Sequence, residues 1–128
     1  MRKAAEGWVK EAEDELASAL ILLEHARYKT ACYHSQQSVE KGLKALIIEK
    51  GEKPGKVHDI MELLGHAKRV GWQITLAMDD AIFLNSIYKG RYPAEEGLLP
   101  HGDPSKEDAD RVTRTAEAFL GNVKNSLK

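Results

Sequence analysis

The sequence holds one cysteine, Cys32, in 128 residues, so an internal disulfide is excluded and a hydrophobic core has to hold the fold. It has no long apolar run. The stretch from Leu16 to Leu23, interrupted by Ser18, falls well short of the ~20 residues a membrane-spanning helix needs. The opening MRKAAEGWVKEAEDE is charged throughout and lacks the apolar centre of a secretory signal. These absences predict a soluble, cytoplasmic protein with no membrane contact. The net charge is only −1, which argues against a dedicated nucleic-acid binder. Alternation of apolar and polar residues is missing, so strands are not expected, and no repeat, low-complexity tract or linker divides the chain.

Signatures of common enzymes are missing as well. GEKPGKV, residues 51–57, has three residues between its glycines, lacks Ser or Thr after Lys56 and follows no strand, so it reads as a turn rather than a phosphate-binding loop. The five histidines, at 25, 34, 58, 66 and 101, show no metal-ligand spacing, and no nucleophile-elbow pattern is present. The sequence implies no metal and no cofactor.

What the sequence does have is helical periodicity. The pattern predicts an all-α fold of five helices, a four-helix up-and-down bundle with one additional short helix, in a single domain over residues 1–128. The first helix, Lys3 to Ala26, turns Trp8, Ala12, Leu16, Ala19, Leu20 and Leu23 inward, and Thr30 is the expected N-cap of the second. Gly51, Gly71 and Gly90 each follow a basic residue at the expected end of a helix. The third helix carries Ile60, Leu63, Leu64 and Ala67 inward, and the fourth is built on Leu76, Ala77, Ala81, Leu84, Ile87 and Tyr88. Ser105 with Asp108 gives a capping-box-like start to the fifth. One connection is long: fifteen residues from Gly90 to Pro104, against the usual ~2–8 in bundles.

Three places carry chemistry. The second helix sets a strip of small residues, Ala31, Ser35, Ser38, Gly42 and Ala45, beside an apolar stripe and a polar side of Gln37, Glu40, Lys41 and Lys44. That polar side reads either as an exposed face with an ordinary Glu40–Lys44 ion pair or as an anion site on Lys41 and Lys44 oriented by Gln37 and Glu40. At the third helix Asp59 is the expected N-cap with Glu62 at capping-box spacing, which leaves His58 to bond the preceding turn or to contact a phosphate at the helix N-terminus. After the fourth helix, Pro93 disfavours helix at Tyr92, so Arg91 and Tyr92 form either a loop anchor or a fork and stacking surface for a ligand.

QQSVEKGLKALI in the second helix, HDIMEL at the third and YKGRYP at the end of the fourth, in that order over essentially the whole chain, resemble the HEPN family, the higher-eukaryote and prokaryote nucleotide-binding domain. The resemblance implies a compact, frequently dimeric helical bundle, like the substrate-binding helical domains that accompany nucleotidyltransferases. It also implies a small standalone protein partnered with a minimal nucleotidyltransferase in a toxin–antitoxin-like pair. By position, Gln37, Glu40, Lys41, Lys44, His58, Arg91 and Tyr92 match the signature residues and become the expected ligand-binding set, for a nucleotide or an RNA phosphate.

Many members of the wider family are metal-independent ribonucleases marked by Arg, four to six residues, then His. Here the His after Arg91 is His101, with nine residues and two prolines between, and the Arg27–His34 spacing lies at the wrong helix junction. That departure favours a non-catalytic binding protein, with a ribonuclease using Arg91 and His58 or His101, or a purely structural interaction subunit, as the alternatives. Residues 41–69 carry a balance of +3 and residues 70–104 one of −3. These opposite charges suit a two-fold homodimer in which the Arg91-Tyr92-Pro93 turn lies near the Lys41/Lys44 side of the second helix.

Overall fold

The computed structural model describes residues 1–90 and 102–128, with the side chains of residues 89 and 90 excepted. Expectations on Arg91, Tyr92, Pro93 and His101 therefore fall outside the described residues. The chain forms five helices among the described residues: α1 Lys3–Glu24, α2 Tyr28–Glu49, α3 Ile60–Arg69, α4 Met78–Gly90 and α5 Lys106–Ser126. The fold is all-α, a four-helix bundle with α3 as its short addition. None of the helices among the described residues is long and apolar enough to cross a membrane.

Helix α2 is the central element and packs against all four others. Its strip of small side chains explains how. A Cβ on Gly42 would come within 3.0 Å of the Phe119 ring of α5, so that contact requires glycine. The Ser35 and Thr113 hydroxyls meet at 3.1 Å on the same interface. On the other flank the Ser38 hydroxyl donates to the Ala12 carbonyl of α1 at 2.8 Å. Small residues bring three helix backbones together, and their hydroxyls find partners inside the interface.

The close approach also shifts the inward face of α1. Ala5, Val9, Ala12 and Ala19 are its buried residues, whereas Trp8, Leu16 and Leu23 pack only partly against the core. The buried line of α1 thus runs through Ala5, Val9, Ala12 and Ala19, with Ala12 where the Ser38 hydroxyl of α2 reaches its carbonyl. Leu43, Ile47, Ile60, Leu63, Leu84, Val112 and Phe119 fill the centre.

Helix ends correct two expected boundaries. At the end of α1 the Arg27 N–H reaches the Leu22 carbonyl at 2.8 Å and the Ala26 N–H reaches Leu23 at 3.1 Å, with Ala26 left-handed at φ 58. This reversal is compact enough for α2 to begin at Tyr28 with Arg27 in the N-cap position, so Thr30 lies inside the helix rather than capping it. The fourth helix begins at Met78, two residues after Leu76, which is buried all the same. The caps of α3 and α5 are as expected: the Asp59 side chain accepts from the Glu62 N–H, and Ser105 and Asp108 form a reciprocal capping box.

Candidate functional site

The polar side of α2 is buried, not exposed. Gln37, Glu40 and Lys44 retain 8%, 2% and 5% of their surface. The reason is the central place of the helix: α1 lies along one flank and the α3–α4 pair along the other, so its polar residues face neighbouring helices instead of water. Buried charge has to be paired. The expected Glu40–Lys44 pair forms at 3.2 Å, and the Lys44 ammonium also lies over the Trp8 ring of α1, 5.4 Å from its centre.

Glu40 is the hub of this cluster. Its carboxylate accepts from Lys44, from the Gln37 amide at 3.4 Å, and faces His58 Nδ1 at 3.3 Å. The Gln37 amide also donates to Gln36 Oε1 at 2.7 Å, while the fully buried Gln36 Nε2 has no partner among the described residues. His58 is half exposed, so one end of its ring meets the buried carboxylate while the rest reaches the surface. Neither role expected for it at the helix N-terminus describes it fully: it spans from the start of α3 to α2 and stacks on Tyr88 of α4, with ring centres 5.4 Å apart and 18° between planes.

The scaffold under His58 comes from α4. Asn85 Oδ1 accepts from the Ile60 N–H at 2.7 Å, and its amide donates to Asp59 Oδ1 at 2.9 Å. The cap of α3 is therefore tied to α4, which fixes His58 relative to Tyr88, three residues before Arg91 in the sequence. Asn85 and Tyr88 were not among the expected site residues. Tyr88 was assigned to the apolar stripe of its helix, and only its place in YKGRYP could have marked it.

Lys41 goes the other way, toward α1. Its ammonium lies 2.9 Å from Glu15 and 3.5 Å from Glu11. Glu15 also takes His34 Nδ1 at 2.6 Å. Burial by itself would raise the Glu15 carboxyl pKa, but the hydrogen bonds and charges of Lys41 and His34 outweigh it and hold the group below the ordinary range. For Lys41, burial pulls the pKa down, and the Glu15 and Glu11 carboxylates more than reverse that and raise it. Both groups are charged at neutral pH.

The structure thus divides the expected set. Gln37, Glu40, Lys44 and His58 form one connected cluster; Lys41 belongs to a second, with Glu11, Glu15 and His34; Arg91 and Tyr92 lie outside the described residues. Trp8 links the two, because it lies under Lys44 and shares a cleft with Lys41. No group of three or more metal-binding side chains occurs among the described residues. Cys32 is buried, and burial with the nearby Asp108 charge pushes its thiol up to about 12, which makes it a poor nucleophile.

The chain is similar to known proteins over nearly its whole length. The relative named "Putative toxin MJ1304", from Methanocaldococcus jannaschii, is 45% identical over 143 residues, which cover 98% of this chain and 90% of the relative. A crystal structure of an HEPN domain protein from Thermotoga maritima superposes with a TM-score of 0.73 at 28% identity, covering 94% of this chain and 97% of that one. A second, described as an archaeal HEPN homologue, gives a TM-score of 0.70 at 28% identity with all of both chains covered. The HEPN domain family itself matches residues 5–126, nearly the whole sequence. The chain belongs to the HEPN domain family.

Proposed function

We propose that this protein is the HEPN member of a toxin–antitoxin-like pair, that its partner is a minimal nucleotidyltransferase, and that it contacts a nucleotide or RNA phosphate beside His58. The relative named as a toxin, alike over nearly its full length, supports the pairing. The observation that carries the site is His58 itself: half exposed, held by buried Glu40, stacked on Tyr88 and braced through Asn85. A side chain positioned from three helices is organised for more than packing.

Electrostatics narrows the reading. Lys41 and Lys44 face three carboxylates, Glu11, Glu15 and Glu40, so the described cluster has no surplus cation to give a phosphate. Arg91, which follows Tyr88 by three residues, is the cation we assign to that role, with Tyr92 as its stacking neighbour. Gln37, Glu40 and Lys44 then act beneath the surface by holding the wall from which His58 projects, while Lys41 ties α2 to Glu11 and Glu15 of α1. A homodimer with the 91–93 turn beside this wall is part of the proposal.

One observation favours a second reading. A buried carboxylate directed at a half-exposed imidazole is also an arrangement for proton transfer, so ribonuclease chemistry with His58 as general acid or base and Arg91 on the scissile phosphate is the alternative. One set of proteins tests both. Wild type, Arg91→Ala and His58→Ala are each titrated calorimetrically with ATP, GTP and short RNA, tested for co-purification with a co-expressed minimal nucleotidyltransferase, and assayed for RNA cleavage. The binding reading expects co-purification in all three and phosphate affinity lost in Arg91→Ala. Cleavage abolished by His58→Ala would replace it with the catalytic reading, and equal ligand binding by all three proteins would remove the site.

A further inference from the structure

The two ring nitrogens of His58 have different surroundings, and the buried one decides what the other can do. Nδ1 lies 3.3 and 3.4 Å from the two carboxylate oxygens of Glu40. The Glu40 side chain is 3% exposed, and its other contacts, the Lys44 ammonium at 3.2 Å and the Gln37 amide at 3.4 Å, are both donors. A carboxylate bonded to an ammonium is ionised and has only lone pairs to offer. An unprotonated Nδ1 would set a further lone pair against those oxygens, away from water and with no proton between them. A protonated Nδ1 completes the bond.

The rest of the site keeps the ring in that position. Stacking on Tyr88, with 18° between planes, holds the ring plane, and the Asn85 bonds to Asp59 and to the Ile60 N–H hold the backbone beside it. The bond made by one imidazole nitrogen sets where the proton sits on the other. With the proton on Nδ1, the free lone pair of the neutral ring is on Nε2, and the side chain is half exposed. A phosphate oxygen is an acceptor and finds no proton there; a hydroxyl or N–H group finds a partner.

We infer that Glu40 is the positioning residue of His58: it holds the neutral imidazole as the Nδ1–H tautomer, so that Nε2 faces outward as an acceptor for a hydroxyl or N–H group of the ligand and leaves the phosphate to another group. The ligand half of this rests on the contact proposed beside His58. The tautomer does not, since it exists without a ligand and is measured without one.

The measurement is a long-range nitrogen–proton correlation spectrum of the full, isotope-labelled chain, recorded as the pH is raised until the imidazole signals stop moving and the rings are neutral. The expected result for His58 is a pyrrole-type Nδ1 and a pyridine-type Nε2. His34 serves as an internal reference, because its Nδ1 lies 2.6 Å from Glu15 and should give the same pattern. The paired substitution Glu40→Met with Lys44→Met removes the acceptor without leaving a charge buried. In that variant the two His58 nitrogen signals should converge as the tautomers interconvert, while His34 keeps its separation and the contact between the His58 and Tyr88 rings persists. A wild-type His58 that carries its proton on Nε2, or populates both tautomers, overturns the role of Glu40; so does a double variant in which the separation is unchanged. ATP and a short RNA are the probes for the ligand half, at the same pH. On binding, Nε2 should move partway toward the pyrrole-type position, as an accepting lone pair does, with Nδ1 unmoved. A proton gained by Nε2 on binding overturns the acceptor role. No shift of His58 with either probe overturns the ligand half together with the contact proposed beside His58, and leaves the tautomer standing.

Discussion

Glu40→Ala tests whether the polar side of α2 is a buried network or a surface ion pair. Glu40 and Lys44 have side-chain exposures of 3% and 6%, and Glu40 also meets His58 and Gln37. Removing one member of a buried pair typically costs ~3–5 kcal/mol, because the other charge stays behind without compensation. Here Trp8 remains in contact with Lys44 and retains part of the stabilisation, ~0.5–2 kcal/mol as a cation–π contact. The expected loss is therefore about 2–4 kcal/mol, where an exposed i,i+4 pair would give only ~0.3–0.5 kcal/mol. For a chain of this size that lowers Tm on the order of 10 °C. Urea titration followed by circular dichroism measures it, and the loss should change little between low and high salt, since a buried pair is poorly screened. The paired substitution Glu40→Met with Lys44→Met should recover most of the stability, because both charges leave together. A loss below ~1 kcal/mol for Glu40→Ala, or a double variant no more stable than the single one, would refute the reasoning. The double variant has a second use: it keeps the fold without the charges, so any ligand or partner binding it loses belongs to function.

Three further outcomes follow from the packing. Gly42→Ala should destabilise by about 1–2 kcal/mol, since the 3.0 Å approach to the buried Phe119 ring outweighs the better helix propensity of alanine; a gain in Tm would contradict the close α2–α5 contact. Glu15 has a lowered pKa, so its contribution to stability is complete above its unfolded value of ~4.3 and is lost as pH falls through the folded value. Glu15→Gln should accordingly flatten the acid limb of a Tm-versus-pH curve. Lys41 works in the opposite sense, its contribution being complete below ~10.4 and lost as pH rises through its raised folded value. Cys32, buried and raised to about 12, should resist a thiol reagent at pH ~8 in the native protein and react once urea unfolds it; rapid native labelling would contradict its burial.

The periodicity of apolar residues determined the helical class, and the glycines after Lys50 and Arg69 determined where two helices stop, because a left-handed C′ residue is a local requirement. The caps at Asp59 and Ser105 were equally legible, since each is a contact within four residues. Also readable was the meaning of the small strip on α2, which announces close helix packing whatever the neighbour is. Its neighbours were not readable. That Gly42 meets Phe119, that Ser38 bonds Ala12 and that α1 buries Ala5, Val9, Ala12 and Ala19 more fully than Trp8, Leu16 and Leu23 depend on which helices lie together.

The same limit governed the site. The sequence placed Gln37, Glu40, Lys41 and Lys44 on one side of a helix, and a side rich in charge is normally solvated. Only the bundle buried it, sending Lys41 to Glu15, Lys44 over Trp8 and Glu40 to His58, across separations of 26, 36 and 18 residues. Local spacing encodes a helix and its ends because those forces act within a turn or two. Pairing across helices is decided by the packing of all five, and so the partners of each buried charge belong to the tertiary structure alone.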